Sequence, residues 1–273
     1  MTSRICVTCG VLQKRSSDGP DHCAICEDDR QFVPAGGQQW TSPERLRSSY
    51  RIVWSQEMEG VWSLRMEPEF AIGQRAFLIQ GSDGNILWDC ISLIDEETRT
   101  RIDALGGLSV IAISHPHFYA AMAYWGRAFG APVFVHDDDA RWIQEPDRVL
   151  RFWGGKTLPL GSGATAIRCG GHFAGASVLH VGHVNDGRGA LFSGDTIQVV
   201  ADRRHVSFMR SYPNLIPLNA DAVRKIAGAV APFEFDAIFG AFPGRTILTG
   251  AKQAIRVSAE RYTRAIAPAR PDE

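Results

Sequence analysis

The stretch that decides the fold is Val110-Ile111-Ala112-Ile113-Ser114-His115-Pro116-His117-Phe118-Tyr119-Ala120. Four consecutive apolar residues, three of them β-branched, suit a strand buried on both faces rather than one with a wet side. The chain leaves this strand with two histidines at i and i+2. That spacing lets two imidazoles reach one metal ion, and imidazole is the commonest neutral metal ligand near physiological pH. A single histidine is more often a surface or hydrogen-bonded residue, so the pair gains its meaning from what surrounds it.

Upstream, short β-rich runs at 51–54, 61–66, 75–80 and 86–89 are separated by turn signals. Among these, Ser82-Asp83-Gly84-Asn85 favours a hairpin reversal. A helical period covers 95–105. Downstream, the pattern predicts a helix over 120–129, a strand over 132–136 and a polar helix-like turn over 138–144. A second β-rich half runs through 156–167, 177–181 and 190–193, followed by a helix at 220–229, a strand at 237–239 and a closing helix at 251–265. This order implies two sheets face to face with helices outside, an α/β sandwich. In the second half, Gly170-Gly171-His172 places a histidine behind two glycines, and Phe192-Ser193-Gly194-Asp195-Thr196 sets a carboxylate just beyond an apolar strand. Three histidines and an aspartate, each at a strand end, would make a zinc or iron site with a position open to water or substrate.

Asp89 after Ile86-Leu87-Trp88, then His-x-His, then Gly-His, then Gly-Asp-Thr, resembles the metallo-β-lactamase-fold metallo-hydrolase superfamily over about residues 50–250. The resemblance implies a four-layer αββα sandwich. It also implies a first metal site of His115, His117 and His172, completed or bridged by Asp195, with Asp89 supporting the metal loops from behind. The sequence departs from the superfamily's His-x-His-x-Asp-His motif, since Tyr119 stands in the aspartate position and Ala120 in the last histidine position. The closing histidine is also missing from Phe239-Gly240-Ala241-Phe242-Pro243-Gly244. A second metal site thus keeps Asp195 alone. The whole pattern, a cysteine module joined to a degenerate histidine motif, resembles one branch of the superfamily, and no substrate comes with that likeness.

The cysteine module is Cys6-Val7-Thr8-Cys9-Gly10 and Cys23-Ala24-Ile25-Cys26, with 13 residues between the pairs. Two tight turns of this kind present four thiolates to one tetrahedral zinc, a closed structural site that stabilises a segment too short to build its own core. Redox Cys-x-x-Cys chemistry and a disulfide pair are the alternatives. His22 reads as a surface residue. Residues 1–43 form a zinc-ribbon-like module and its polar joining strip from Glu27 onward, and 44–273 the main domain. The length of 273 residues leaves room for one large domain and a small one.

Lys and Arg (29) balance Asp and Glu (30), so a net charge of -1 argues against nucleic acid or anionic lipid as a general partner. No run approaches the roughly 18 apolar residues of a membrane span, and the charged first 30 residues lack the apolar core of a signal peptide. The reading is a cytoplasmic protein. A protein partner bound through the N-terminal module and a homo-oligomer both stay open.

The sequence therefore points to a metal-dependent hydrolase acting on a small molecule through one zinc or iron ion, with a separate structural zinc. Asp195 would ligate the ion or orient the water. Tyr119 would donate a proton or hydrogen-bond an oxyanion, or would simply fill the vacated volume. Arg203, Arg204, His205 and Tyr212 follow Asp195 closely and would present cationic and polar groups to an anionic substrate. A catalytically silent binding or scaffold protein and a mononuclear iron oxidoreductase are the alternatives. His136, His180 and His183 read as ordinary hydrogen-bonding residues, and Cys90 as an inert buried thiol.

Overall fold

The computed structural model describes residues 3–14 and 21–268, and residues 15–20 between the cysteine pairs lie outside it. Seven strands form the first sheet, in the order Leu150–Trp153, Val133–His136, Val110–Ala112, Ile86–Trp88, Arg75–Ile79, Val61–Glu67 and Arg51–Met58. The side toward Arg51–Met58 is antiparallel, as hairpins allow, and includes the reversal at Asp83-Gly84. The side from Ile86–Trp88 outward is parallel and uses helix Glu96–Ala104 and helix Met122–Phe129 as crossovers. Six strands form the second sheet, in the order Thr157–Gly161, Ala164–Arg168, Ser177–Val181, Ala190–Gly194, Ala237–Gly240 and Thr246–Ile247.

Strand periodicity sorts the apolar residues into three cores. In Ile86–Trp88 and Val110–Ala112, residues Ile86, Trp88, Val110 and Ala112 face the second sheet, while Leu87 and Ile111 face the outer helices. Ala190, Phe192, Ala237 and Phe239 of the second sheet meet them in the middle, and Leu191 and Ile238 pack outward against helix Ala220–Val230 and helix Ala251–Ala265. Phe77, Phe192 and Phe239 lie at ring separations of 5.0, 5.9 and 5.1 Å, fixing the two sheets against each other. Three cores between four layers give the αββα sandwich.

The β-rich run expected over 156–167 is two strands, Thr157–Gly161 and Ala164–Arg168, broken at Ser162-Gly163. The helix expected from residue 120 begins at Met122, because the chain first makes a 3₁₀ turn over Pro116–Phe118. The acidic turn after Val133–His136 is likewise 3₁₀, over Asp137–Trp142. Helix Pro43–Ser49 and strand Leu150–Trp153 lack a strong apolar period and form through tertiary packing.

The cysteine module adds a three-stranded sheet of Leu12–Lys14, Ser3–Cys6 and Trp40–Thr41. Its apolar side is continuous with the outer core of the first sheet, where Ile5, Val11, Leu12 and Ile25 join Phe118, Tyr119 and Ala120. Ser92 donates its hydroxyl to the Gly10 carbonyl at 2.7 Å, and Leu12 donates its amide to the Ala120 carbonyl at 2.8 Å. The joining strip differs from expectation: Trp40–Thr41 is part of the module's sheet, and residues 28–31 lie against the loops that carry His172 and Met209. The polar groups of the strip find both backbone and side-chain partners there, the His172 carbonyl for Arg30 and the Arg210 guanidinium for Asp29. Among the described residues no helix is long and apolar enough to cross a membrane.

Candidate metal centre

The buried strand Val110–Ala112 delivers His115 and His117, Ser177 and Gly170 bracket the loop of His172, and strand Ala190–Gly194 delivers Asp195. The four ligand atoms lie within 4.8 Å of one another, on residues exposed by 4% or less. His117 Nδ1 is 3.3 Å from His172 Nε2, and Asp195 Oδ2 is 3.6 Å from His115 Nε2 and 3.9 Å from His117 Nδ1. A tetrahedral ion with metal–nitrogen bonds of about 2.1 Å requires ligand–ligand edges of about 3.4 Å, so the residues present fit a zinc- or iron-sized ion. The donor set of three imidazoles and a carboxylate suits either metal.

Hydrogen bonds choose which nitrogen faces the centre. His172 Nδ1 donates to the Met209 carbonyl at 3.0 Å, which leaves the Nε2 lone pair pointing inward. His115 Nδ1 pairs with the Ser114 hydroxyl at 2.9 Å and likewise turns Nε2 to the centre. Such partners fix the tautomer and ring plane of a ligating histidine. His115 Nε2 and Asp195 Oδ1 are buried without a hydrogen bond, the signature of donors awaiting a cation or water. Burial pushes the His115 imidazole down to about 4 and that of His172 well below its ordinary value, so both are neutral at pH 7, the form a metal binds. Burial alone would raise Asp195, but the adjoining imidazoles of His115 and His117 hold it below the usual carboxylate range.

Asp89 occupies the supporting place implied by the resemblance: its Oδ1 accepts the Ser114 amide at 2.7 Å, tying the end of one strand to the start of the His-x-His loop. Burial pushes its carboxyl up to about 8, with the Asp195 charge acting in the same direction. Gly194 holds φ 51, and a Cβ there would sit 2.8 Å from Ser114 Oγ. Gly171 has φ 81, and its Cβ would press on Ile226 Cδ1 at 2.8 Å. The glycine before His172 therefore answers to helix packing as well as backbone conformation.

Tyr119 is buried, and its hydroxyl donates to the Asp139 carbonyl at 3.1 Å, with burial pushing the phenol well up. Proton donation by Tyr119 would require that bond to open. Tyr212 stands beside the cluster, its ring 5.9 Å from that of His172 and its hydroxyl donating to the Asp195 carbonyl at 2.9 Å. Arg203 and Arg204 lie exposed at the tip of the ribbon formed by Gln198–Val199 and Val206–Ser207. His205 is held there by Asp202, whose carboxylate also accepts the Arg204 and His205 amides.

The sequence reading missed three neighbours of the cluster. Ser114 adjoins His115 and carried a local signal in the motif itself. Phe173 packs its ring 5.2 Å from that of His172. Arg30, from the cysteine module, donates Nε to the His172 carbonyl at 2.7 Å, and no spacing rule connects residues 142 apart.

In the second cluster, Cys6, Cys9, Cys23 and Cys26 converge with Sγ–Sγ separations of 3.5 Å for Cys6–Cys26 and 3.6 Å for Cys9–Cys23. The cysteines are free thiols, and these separations lie near the ~3.8 Å edge of a tetrahedral zinc–thiolate site. Gln38 Nε2 donates to Cys6 Sγ at 3.0 Å, a bond that favours the thiolate. His22 pairs with Glu27 at the surface. His136, His180 and His183 bond to the carbonyls of Gly155, Glu234 and Gln80, and Cys90 is buried with its thiol pushed up by burial.

Sandwich, strand-end histidines and Gly-Asp turn together define a protein of the metallo-β-lactamase fold. The solved metallo-β-lactamase VMB-1 covers 80% of this chain and 99% of its own length at a TM-score of 0.60 and 11% identity. FIM-1 of Pseudomonas aeruginosa, solved in a mono-zinc form, covers 80% of this chain and 97% of its own at a TM-score of 0.58 and 16% identity. The sequence places the chain more closely: it is 44% identical over 264 residues, 96% of each chain, to the protein described as uncharacterized protein YmaE of Bacillus subtilis (strain 168), and belongs to the same family. No family model matches the chain.

Proposed function

We propose that the protein is a metal-dependent hydrolase of a small molecule, working with a single ion at His115, His117, His172 and Asp195, while Cys6, Cys9, Cys23 and Cys26 hold a structural zinc. The observation that carries this reading is the convergence of three imidazole nitrogens and a carboxylate at near-tetrahedral edges. An ion held there supplies Lewis acidity, polarising a carbonyl and making water a nucleophile near neutral pH. FIM-1, which shares the fold, has itself been solved with a single zinc, in keeping with one ion here.

The chain's own residues divide the remaining work. His115 and His172 stay neutral, with their rings held by Ser114 and the Met209 carbonyl, and His117 completes the imidazole set. Asp195 ligates the ion, and its Oδ1, buried and unpartnered, is placed to orient a water by accepting a hydrogen bond from it. Tyr212, beside the cluster and bonded to the Asp195 carbonyl, contributes with His205 to substrate binding. Arg203 and Arg204 offer exposed guanidinium groups to an anionic group on the substrate.

A second reading has its own observation. All four residues are exposed by 4% or less, as in a closed structural site, which favours a binding or scaffold protein whose ion is not used in chemistry. The test is metal content by mass spectrometry on the wild type and on His172→Ala, with hydrolysis of chromogenic esters, lactams and phosphodiesters measured in parallel. Two ions falling to one, together with loss of a hydrolytic rate, is the expected result. Two ions falling to one with no rate in either protein would favour the scaffold reading, and an unchanged ion count would refute the site. Iron rather than zinc in the lost ion would redirect the screen to oxidation.

A further inference from the structure

The cysteine cluster and the histidine cluster are separate, yet residues 28–31 connect the cysteine module to the loops around His172. Arg30 is 7% exposed, and its guanidinium lies over the Phe173 ring at 4.3 Å and near Trp142 at 5.9 Å. Nε donates to the His172 carbonyl at 2.7 Å, and Nη1 donates to Asp28 Oδ1 at 2.6 Å. The same carboxylate oxygen accepts the Arg30 amide at 3.1 Å, which fixes the side chain to its own turn. The Arg30 carbonyl accepts the Ser211 hydroxyl at 3.1 Å, and Asp29 makes a bidentate pair with Arg210. Asn214 Nδ2 donates to the carbonyls of Asp29 and Gln31.

These bonds bear on His172 from two sides. Arg30 holds its backbone carbonyl, and the same segment clamps the strand Met209–Ser211 whose Met209 carbonyl orients its ring through Nδ1. Gly170 and Gly171 precede His172 at φ 69 and 81, so the loop has little side-chain packing of its own to hold the histidine. A planar guanidinium stacked on Phe173 and bonded at both ends supplies that rigidity.

We propose that Arg30 is a positioning residue of the histidine site, contributed by the cysteine module and acting through the His172 backbone. The inference rests on the reading that the histidine cluster holds an ion. It does not rest on that ion being used in hydrolysis.

Cobalt(II) is the probe, bound to the full-length protein. The cysteine site then gives thiolate charge-transfer absorption and the histidine site only ligand-field bands, so the two are followed separately during titration and during release to a chelator. Arg30→Ala is expected to weaken cobalt binding at the histidine site by about 10- to 100-fold, the usual range for loss of a group that orients a metal ligand. The thiolate absorption should be unchanged. Asn214→Ala removes bonds to the same segment but no direct partner of His172 and should weaken cobalt binding clearly less than Arg30→Ala on the same scale. Unaltered affinity in Arg30→Ala, or equal weakening in Asn214→Ala, overturns the positioning role. Absence of the ligand-field bands in the wild type overturns the metal reading itself, and with it this inference.

Discussion

At the scale of single residues, the region around the histidine cluster holds a titratable group with a stability consequence. Asp139 is 1% exposed; its Oδ1 accepts the Gly175 amide at 2.9 Å, while Oδ2 is buried without a partner. Burial pushes this carboxyl up to about 6. The native chain therefore keeps a proton that the unfolded chain releases from about pH 4 upward. A folded value raised above the unfolded one means that stability is fully present below about pH 4 and is lost as pH rises toward about 6, by at most about 3 kcal/mol. Asp139→Asn keeps the acceptor for Gly175 and removes the titration. Urea unfolding at pH 4.5 and 7 is expected to show the variant gaining on the wild type at the higher pH. An equal difference at both pH values would mean that the carboxyl is ionised in the native state throughout.

At the scale of elements, what the sequence made legible is where strands end. Val110–Ala112 was readable from four apolar residues, and the histidines beyond it from their spacing, because a strand end fixes where the next two residues point. Asp195 was readable for the same reason. Arg30 was not, since its role depends on how the cysteine module docks, and local sequence carries no trace of a contact with residue 172. Arg203 and Arg204 were visible as charge, but their orientation depends on the Asp202 turn at a ribbon tip. Gly194 joins these levels. It closes strand Ala190–Gly194 at φ 51, with Ser114 Oγ 2.8 Å and Ser114 Cβ 3.1 Å from where a Cβ would stand. Gly194→Ala must strain the backbone and displace the serine that orients His115, at a cost of about 1–3 kcal/mol. Chemical denaturation should show that loss together with weaker metal retention. A variant as stable as wild type would mean that the turn has room to relax.

At the scale of the whole molecule, the question is whether residues 44–273 can stand without the cysteine module. Three cores separate the four layers, and the outer core of the first sheet is not closed by the main domain alone. Ile5, Val11, Leu12 and Ile25 pack with Phe70, Phe118, Tyr119 and Ala120, and the Leu12 amide is bonded to the Ala120 carbonyl. Removing the module would uncover the turn that carries His117 and take Arg30 from the His172 loop. Each large apolar side chain left exposed costs about 1.5–3 kcal/mol of burial, and several of them together rival the 5–15 kcal/mol stability of an ordinary domain. The chain beginning at Glu44 is therefore expected to be insoluble or to bind a hydrophobic dye, and the full chain to unfold in one transition whether followed by tryptophan fluorescence or by release of thiol-bound metal. Two separated transitions, or a truncated chain with an unchanged melting temperature, would show the module to be an independent appendage. The coupling expected here has a functional corollary: a metal held by Cys6, Cys9, Cys23 and Cys26, far from any chemistry, would support the histidine centre by keeping one layer of the sandwich in place.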